Sequence, residues 1–207
     1  MQTTPSFTEI PVPGKHLCGL TWQDPLLWVS DAQLEEILAI DSRSGEIVRR
    51  VECPAVVTGL THFDGELLQV AGSDRSLRLM DSRTGEILEE FLNPRPGLQL
   101  CGIEATPAGV WLGYEDPPML ELRRFPYLEL ADRIAVHEPP AGVTMTDKYI
   151  AYANYPNAHI HLVDREKRRV AKTIKVQGNP TGLTWDGRRL WYCDHTNLVL
   201  RAVDISE

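Results

Sequence analysis

The stretch GNPTGLTWDGRRLWYCD, Gly178–Asp194, reads as a β-hairpin. Leu183 and Trp185 share one side of the first strand, Asp186-Gly187 makes a tight turn, and Leu190-Trp191-Tyr192 alternates on the way back. The phrase recurs as CGLTWQDPLLWVSD, Cys18–Asp31, and as TGLTHFDGELLQVAG, Thr58–Gly72. Looser copies are CGIEATPAGVWLGYED, Cys101–Asp116, and AGVTMTDKYIAYAN, Ala141–Asn154.

Anchored on Gly19, Gly59, Gly102, Gly142 and Gly182, the copies are spaced by 40, 43, 40 and 40 residues. A period near 40 built from short alternating segments predicts propeller blades, not helix pairs. In the first unit the pattern predicts strands over His16–Gln23, Leu26–Asp31, Ile37–Asp41 and Glu46–Val51. ILAIDSRSGEIVRRV, Ile37–Val51, is mirrored by LRLMDSRTGEILEEF, Leu77–Phe91. In the shared D-S-R-[ST]-G-E-I the aspartate and serine can cap the turn with side-chain hydrogen bonds, and the glycine supplies positive φ. Asp164 and Asp204 keep that aspartate in the fourth and fifth units, while Phe125-Pro126-Tyr127 replaces the turn in the third.

The fifth unit has no outer strand after Asp204. Phe7–Val12 precedes the first unit, where every other unit has its predecessor's outer strand. The 25 residues after Gly182 and the first 19 of the chain together make one further period of 44. The expectation is an all-β chain: a single five-bladed β-propeller of four-stranded blades over residues 1–207. The N-terminal strand completes the last blade and closes the ring, which removes exposed sheet edges.

GLTWDGRRLWYCDHTNLVLRAVD, Gly182–Asp204, and GLTWQDPLLWVSDAQLEEILAIDSRSGEIV, Gly19–Val48, resemble propeller repeats of the NHL, YVTN and streptogramin-lyase type. The resemblance covers essentially the whole chain. Five blades with S-R-[ST]-G-E-I turns are also similar to bacterial glutamine cyclotransferases. That family carries a glutamate at the end of a blade's second strand, and Asp31 and Asp194 stand at the matching places. The calcium-dependent lactonases of the senescence-marker type are a further relative. Their E-G-P-x-W is Cys18-Gly19-Leu20-Thr21-Trp22 in this chain, so their metal-ligand glutamate is missing. These resemblances imply a propeller fold and, by analogy, lyase or cyclase chemistry at the channel mouth.

Composition narrows the partners. The chain has 207 residues, 43% of them hydrophobic, and a net charge of −8 from 21 basic and 29 acidic residues. That balance argues against nucleic acid or an anionic membrane as partner. The basic run REKRR, Arg165–Arg169, falls where a strand-connecting turn is expected and reads as solvated. The N-terminus shows no basic segment followed by an apolar one, and no apolar run reaches membrane-spanning length. A cytoplasmic protein with free thiols at Cys18, Cys53, Cys101 and Cys193 is the expectation.

Aligned repeats turn sequence positions into rings around the channel. Strand ends on one rim offer Asp31, Glu115, Asn154 and Asp194, followed by Asp116, Tyr155 and His195. Three residues before the anchors stand His16, Gln99 and Asn179 among others; one before stand Cys18, Thr58, Cys101, Ala141 and Thr181. Two after the anchors come Thr21, Thr61, Glu104, Thr144 and Thr184. Glu104 alone breaks a threonine ring, as a channel carboxylate of raised pKa or one satisfied by neighbouring hydroxyls. His16 and His195 meet once the ring closes, which suits proton transfer near neutral pH.

The candidate catalytic set is therefore His16, Glu104, His195 and Asp194, with Gln99, Asn154, Tyr155, Asn179, Asp31 and Glu115 as ligand contacts. The acidic ring offers oxygens to a divalent cation or bonds turn amides; no cofactor is required. The thiols read as small buried hydrophobes, or as a soft-metal site or a nucleophile. His159 and His161, on an outer strand, read as structural or exposed. One function reading is an enzyme acting on a small molecule by elimination or cyclisation. The alternative is a binding module without chemistry, with Tyr114, Tyr155 and Tyr192 edging the rim.

Overall fold

Short alternating segments bounded by Asp-Gly, Asp-Pro and Ser-Gly turns fold into strands, the only regular elements among the described residues. The computed structural model describes residues 8–205. Blade one is β2 (Leu17–Gln23), β3 (Leu26–Asp31), β4 (Glu36–Asp41) and β5 (Ile47–Glu52). Blade two is β6 (Val56–Phe63), β7 (Glu66–Ala71), β8 (Ser76–Met80) and β9 (Ile87–Phe91). Blade three is β10 (Leu100–Thr106), β11 (Gly109–Tyr114), β12 (Met119–Arg124) and β13 (Glu129–Ala135). Blade four is β14 (Gly142–Met145), β15 (Tyr149–Asn154), β16 (His159–Asp164) and β17 (Arg169–Lys175). Blade five is β18 (Pro180–Trp185), β19 (Leu190–Asp194) and β20 (Val199–Val203), completed by β1 (Glu9–Pro11). Every pairing is antiparallel. Among the described residues no helix is long and apolar enough to cross a membrane.

The ring is closed by the N-terminal strand. Ile10 pairs with Leu200 and Glu9 with Arg201, and the Val12 N–H donates to the Leu198 carbonyl at 2.9 Å. Phe7, which the sequence reading included in this strand, lies outside the described residues. Ile10 and Val12 enter a core with Leu17, Leu20, Leu38, Trp191 and Leu200, so one cluster joins blades five and one. Each of the other four seams between neighbouring blades has its own apolar cluster. The core is thus five wedges, not a central mass.

Five blades crowd the axis, and the anchor glycines are the consequence. A Cβ on Gly142 would lie 2.0 Å from the Thr181 carbonyl oxygen, and one on Gly182 would lie 2.5 Å from the Leu20 nitrogen. Inner strands therefore pack backbone against backbone, including across the seam between Gly182 and blade one. The expected turn chemistry is also present. Asp41 Oδ1 accepts the N–H groups of Arg43 and Ser44 at 2.8 and 2.9 Å, and Asp81 Oδ1 accepts those of Arg83 and Thr84 at 2.8 Å. Gly45 completes the first of these turns at φ +74°.

Candidate functional site

Bulges in the inner strands interrupt the alternation near the anchors, between Leu17 and Leu20, Val56 and Leu60, Leu100 and Gly102, and Pro180 and Leu183. In these four blades the residues one before and two after the anchor are therefore not held to opposite faces by alternation. The first of these rings, Cys18, Thr58, Cys101, Ala141 and Thr181, forms the floor of a cavity of about 240 Å³ at the channel mouth. Around the floor stand His16, Arg75, Gln99, Glu115, Tyr155 and His195.

His16 and His195 come from opposite sides of the ring seam. Their rings meet edge to face with centroids 4.5 Å apart, and Tyr155 stands 5.8 Å from His195 in the same manner. Partial burial and the neighbouring His195 imidazole hold His16 below the usual histidine range, against the pull of Asp31. His195 Nδ1 lies 3.4 Å from the Leu17 carbonyl oxygen. A carbonyl only accepts, so this contact favours the tautomer with hydrogen on Nδ1 and a free lone pair on Nε2.

Arg75 belongs to the mouth and escaped the sequence reading. It ends the turn between β7 and β8, at φ 54°. Its guanidinium donates to the Leu100 carbonyl at 2.7 Å and to Gln99 Oε1 at 3.3 Å. The available signal is its place in a rim loop, four residues beyond the end of β7.

Glu104 lies deeper, in the second ring, and is not among the residues lining the mouth. From Cys101 to Glu104 the strand advances by roughly 10 Å. Thr61 and Thr144, on the blades to either side, donate to its two carboxyl oxygens at 3.3 and 3.2 Å. It also takes the backbone N–H of Met145. Thr21 and Thr61 do the same for the next blade, accepting the N–H of His62 and of Ala105 at 3.0 Å. Glu104 therefore fills the staple position that threonine fills elsewhere. It keeps some contact with the channel, yet protein surrounds it closely. Burial pushes its pKa up to about 8, opposed only weakly by the hydroxyls and the Met145 amide.

The strand-end carboxylates have their oxygens engaged by their own blades. Asp31 accepts four backbone N–H groups, from Lys15, His16, Gln33 and Leu34, at 2.6 to 3.0 Å. Burial works against its charge, but these donors hold it below the usual carboxylate range. Asp194, 0% exposed, accepts from Asn197 Nδ2 at 2.7 Å and from Arg201 Nε at 2.9 Å. Burial again opposes the charge and these bonds outweigh it. Asn154 donates to the Pro139 carbonyl at 3.0 Å and accepts the Asn157 N–H at 3.0 Å. Asn179 donates to the Tyr155 carbonyl at 2.9 Å and accepts from the Thr196 hydroxyl at 2.6 Å. These four brace the loops that carry the mouth, which is the amide-bonding reading of the ring. Glu115 and Gln99 are exposed on the rim.

Two of the three rim tyrosines need correction. Tyr114 is 0% and Tyr192 2% exposed, with hydroxyls bonded to Asn93 and to the Gln177 carbonyl; only Tyr155, 39% exposed, faces the mouth. Alternation directs the first two into the seams between blades. Burial disfavours the thiolate forms: it pushes Cys18 and Cys101 up to about 11 and Cys53 up to about 12, and raises Cys193 as well. His161 is buried and His159 half-buried, on β16 beside Glu138. A larger cavity of about 830 Å³ lies between blades three and four, near Trp111, Ile134 and Arg168. It shares no residue with the mouth.

No known family profile and no curated protein sequence matches the chain. Solved structures do. The chain is similar to a glutaminyl cyclase from Myxococcus xanthus, with TM-score 0.77 and 12% identity over 98% of this chain and 97% of that one. A catalytically inactive virginiamycin B lyase from Staphylococcus aureus, solved with quinupristin, gives TM-score 0.57 and 16% identity over 95% and 69%. A chain of a nidogen/laminin complex gives TM-score 0.65 and 15% identity over 94% and 78%. At these identities the likeness is one of fold, and the chain is a five-bladed β-propeller.

Proposed function

We propose that the channel mouth binds a small polar molecule with a carbonyl or carboxylate group and processes it by proton transfer, as a lyase or cyclase. The observation that carries this reading is the His16–His195 pair at 4.5 Å, in a cavity shared with a guanidinium and an exposed tyrosine. His195 Nε2 takes a proton from the substrate and returns it to the leaving group. His16, held neutral by burial and by its partner, keeps a second positive charge away from that base. Arg75 and Gln99 hold the carbonyl or carboxylate, and Glu115 offers a counter-charge to an ammonium group. Asp31, Asn154, Asn179 and Asp194 position these groups through the loops and do not touch the substrate. Glu104 acts below the floor as a staple.

The similarity to a glutaminyl cyclase names the first probe, a peptide with glutamine at its N-terminus. Its α-amino nitrogen attacks its own side-chain amide carbon, the bond to the amide nitrogen breaks, and ammonia leaves with the proton that His195 carried. Titration calorimetry with this peptide and with small carboxylates, alongside an ammonia assay, tests the proposal. Arg75→Gln should weaken binding by about 10- to 100-fold, the worth of a hydrogen bond to a charged group. Binding that Arg75→Gln leaves untouched removes the mouth from the account. The second reading, a binding module without chemistry, is favoured by the small size of the cavity and the separation of Glu104 from it. It predicts binding with no turnover of any bound compound.

A further inference from the structure

The loop from β13 to β14 carries His137 and Glu138, and β16 presents His159 and His161 beside it. In a strand, residues two apart share a face, so the sequence His-Ile-His aims both imidazoles the same way. His161 Nε2 lies 2.7 Å from Glu138 Oε2, and His159 Nδ1 lies 3.4 Å from the same oxygen. The His137 ring stands edge-on to His161, with centroids 4.9 Å apart. One ligand atom each from His137, Glu138 and His161 falls within 4.8 Å of the others. None of these residues lines the mouth cavity.

We infer that His137, Glu138 and His161 form a site for a divalent transition metal of the zinc type, at the junction of blades three and four. Nitrogen and oxygen donors around tetrahedral zinc at about 2.0–2.2 Å stand about 3.3 Å from one another. The Glu138–His161 separation is 2.7 Å and all three ligand atoms lie within 4.8 Å of one another, so modest side-chain rotation forms the site. The donor set, imidazole with carboxylate and no thiolate, suits zinc and its neighbours better than calcium or magnesium. The buried member is already oriented. His161 is 1% exposed, and its Nδ1 lies 2.8 Å from Thr173 Oγ1. A hydroxyl donates or accepts. With Nε2 on the metal, Nδ1–H donates to Thr173, the outer partner that metal-bound histidines commonly require. His137 is exposed and reaches the ion from the solvent side, and water completes the fourth position. His159 stays bonded to the Glu138 carboxylate and fixes it. The ion would join the loop that enters blade four to that blade's third strand, a staple in a place where the other blades show no such cluster among the described residues.

The test uses the full chain without a histidine tag, loaded with zinc chloride and passed through gel filtration. One zinc per chain should be retained, and cobalt(II) in its place should give the strong visible bands of a four-coordinate ion. His137→Ala, at an exposed position, leaves the fold intact and should weaken zinc binding by at least about 100-fold, and Thr173→Val by about 10- to 100-fold. Melting curves without metal check that both variants fold. No retained zinc, retention unchanged in His137→Ala, or retention lost in His16→Ala instead would each overturn the assignment.

Discussion

Blade three holds two enclosed glutamates with opposite surroundings. Glu121, on β12, is fully buried and meets three guanidiniums: Arg95 at 2.7 Å, Arg133 at 2.8 Å and Arg123, which grips it with two nitrogens. Glu104, on β10, meets two threonine hydroxyls and a backbone amide, with no cation among its partners. The first carboxylate is compensated where it sits and ties blade three to the loop that enters it. The second is left without a counter-charge, and burial drives it toward its neutral form near pH 7. Partner supply, more than burial, therefore sets what an enclosed carboxylate does. Glu121 is bound to its own blade and loop, whereas Glu104 depends on neighbours from blades two and four.

That dependence makes ring opening the most damaging way to sharpen the contrast. Deleting residues 1–12 removes Ile10 and Val12 from the seam, at a cost of about 3–6 kcal/mol in apolar burial. The loosened channel should let the Glu104 pKa fall toward the ordinary carboxylate range while the Glu121 cluster stays intact. A truncated chain as stable as the full one would rule out closure by β1. Next in size, Glu121→Gln strands three cationic side chains around a neutral amide and should cost about 3–5 kcal/mol in denaturant unfolding. Glu104→Thr installs the residue that four other blades use and removes the cost of keeping a buried carboxyl protonated near pH 7, so it should leave stability unchanged or raise it. Equal costs for the two exchanges would break the comparison.

The pH dependence separates them further. Between about 4.5 and 8 the folded state keeps a proton on Glu104 that the unfolded chain has released. This contribution is fully present below pH 4.5, declines as pH rises, and is gone above about 8. The slope is negative and approaches about 1.4 kcal/mol per pH unit. Subtracting the unfolding curves of Glu104→Gln from those of the wild type isolates it, and a flat or rising difference would show that Glu104 is charged in the folded protein. The smallest effect belongs to the thiols. Cys18→Thr and Cys101→Thr copy the choice of another blade and should change the melting temperature by only a few degrees.

Much of the fold was legible because one hairpin is written five times. The β3 segment Leu26–Asp31 agrees to the residue, and its neighbours in blade one shift by one position at their ends. The D-S-R-[ST]-G turns form as read, since their chemistry is local. The meeting of His16 and His195 follows from the ring closure, which the repeat spacing announces. What the sequence did not show depended on direction or on contacts between distant segments. Tyr114, at the end of β11, and Tyr192, in the middle of β19, point into the seams. Arg75 reaches the mouth from a loop that differs between repeats. Glu104 was visible as an exception in a ring, yet its distance from the histidines depends on the rise along β10, which ring position alone does not express. The joining of His137 and Glu138 to His161 needs a contact across more than 20 residues that no repeat position encodes.

In the function proposed above, chemistry belongs to the mouth and not to the channel carboxylate. Ammonia release from a glutaminyl peptide should be compared in the wild type, His195→Gln and Glu104→Thr, with peptide affinity measured for each by calorimetry. His195→Gln should still bind the peptide but lose turnover by about 10²–10⁴-fold, while Glu104→Thr should keep both. Turnover that survives His195→Gln and vanishes in a folded Glu104→Thr protein would contradict it.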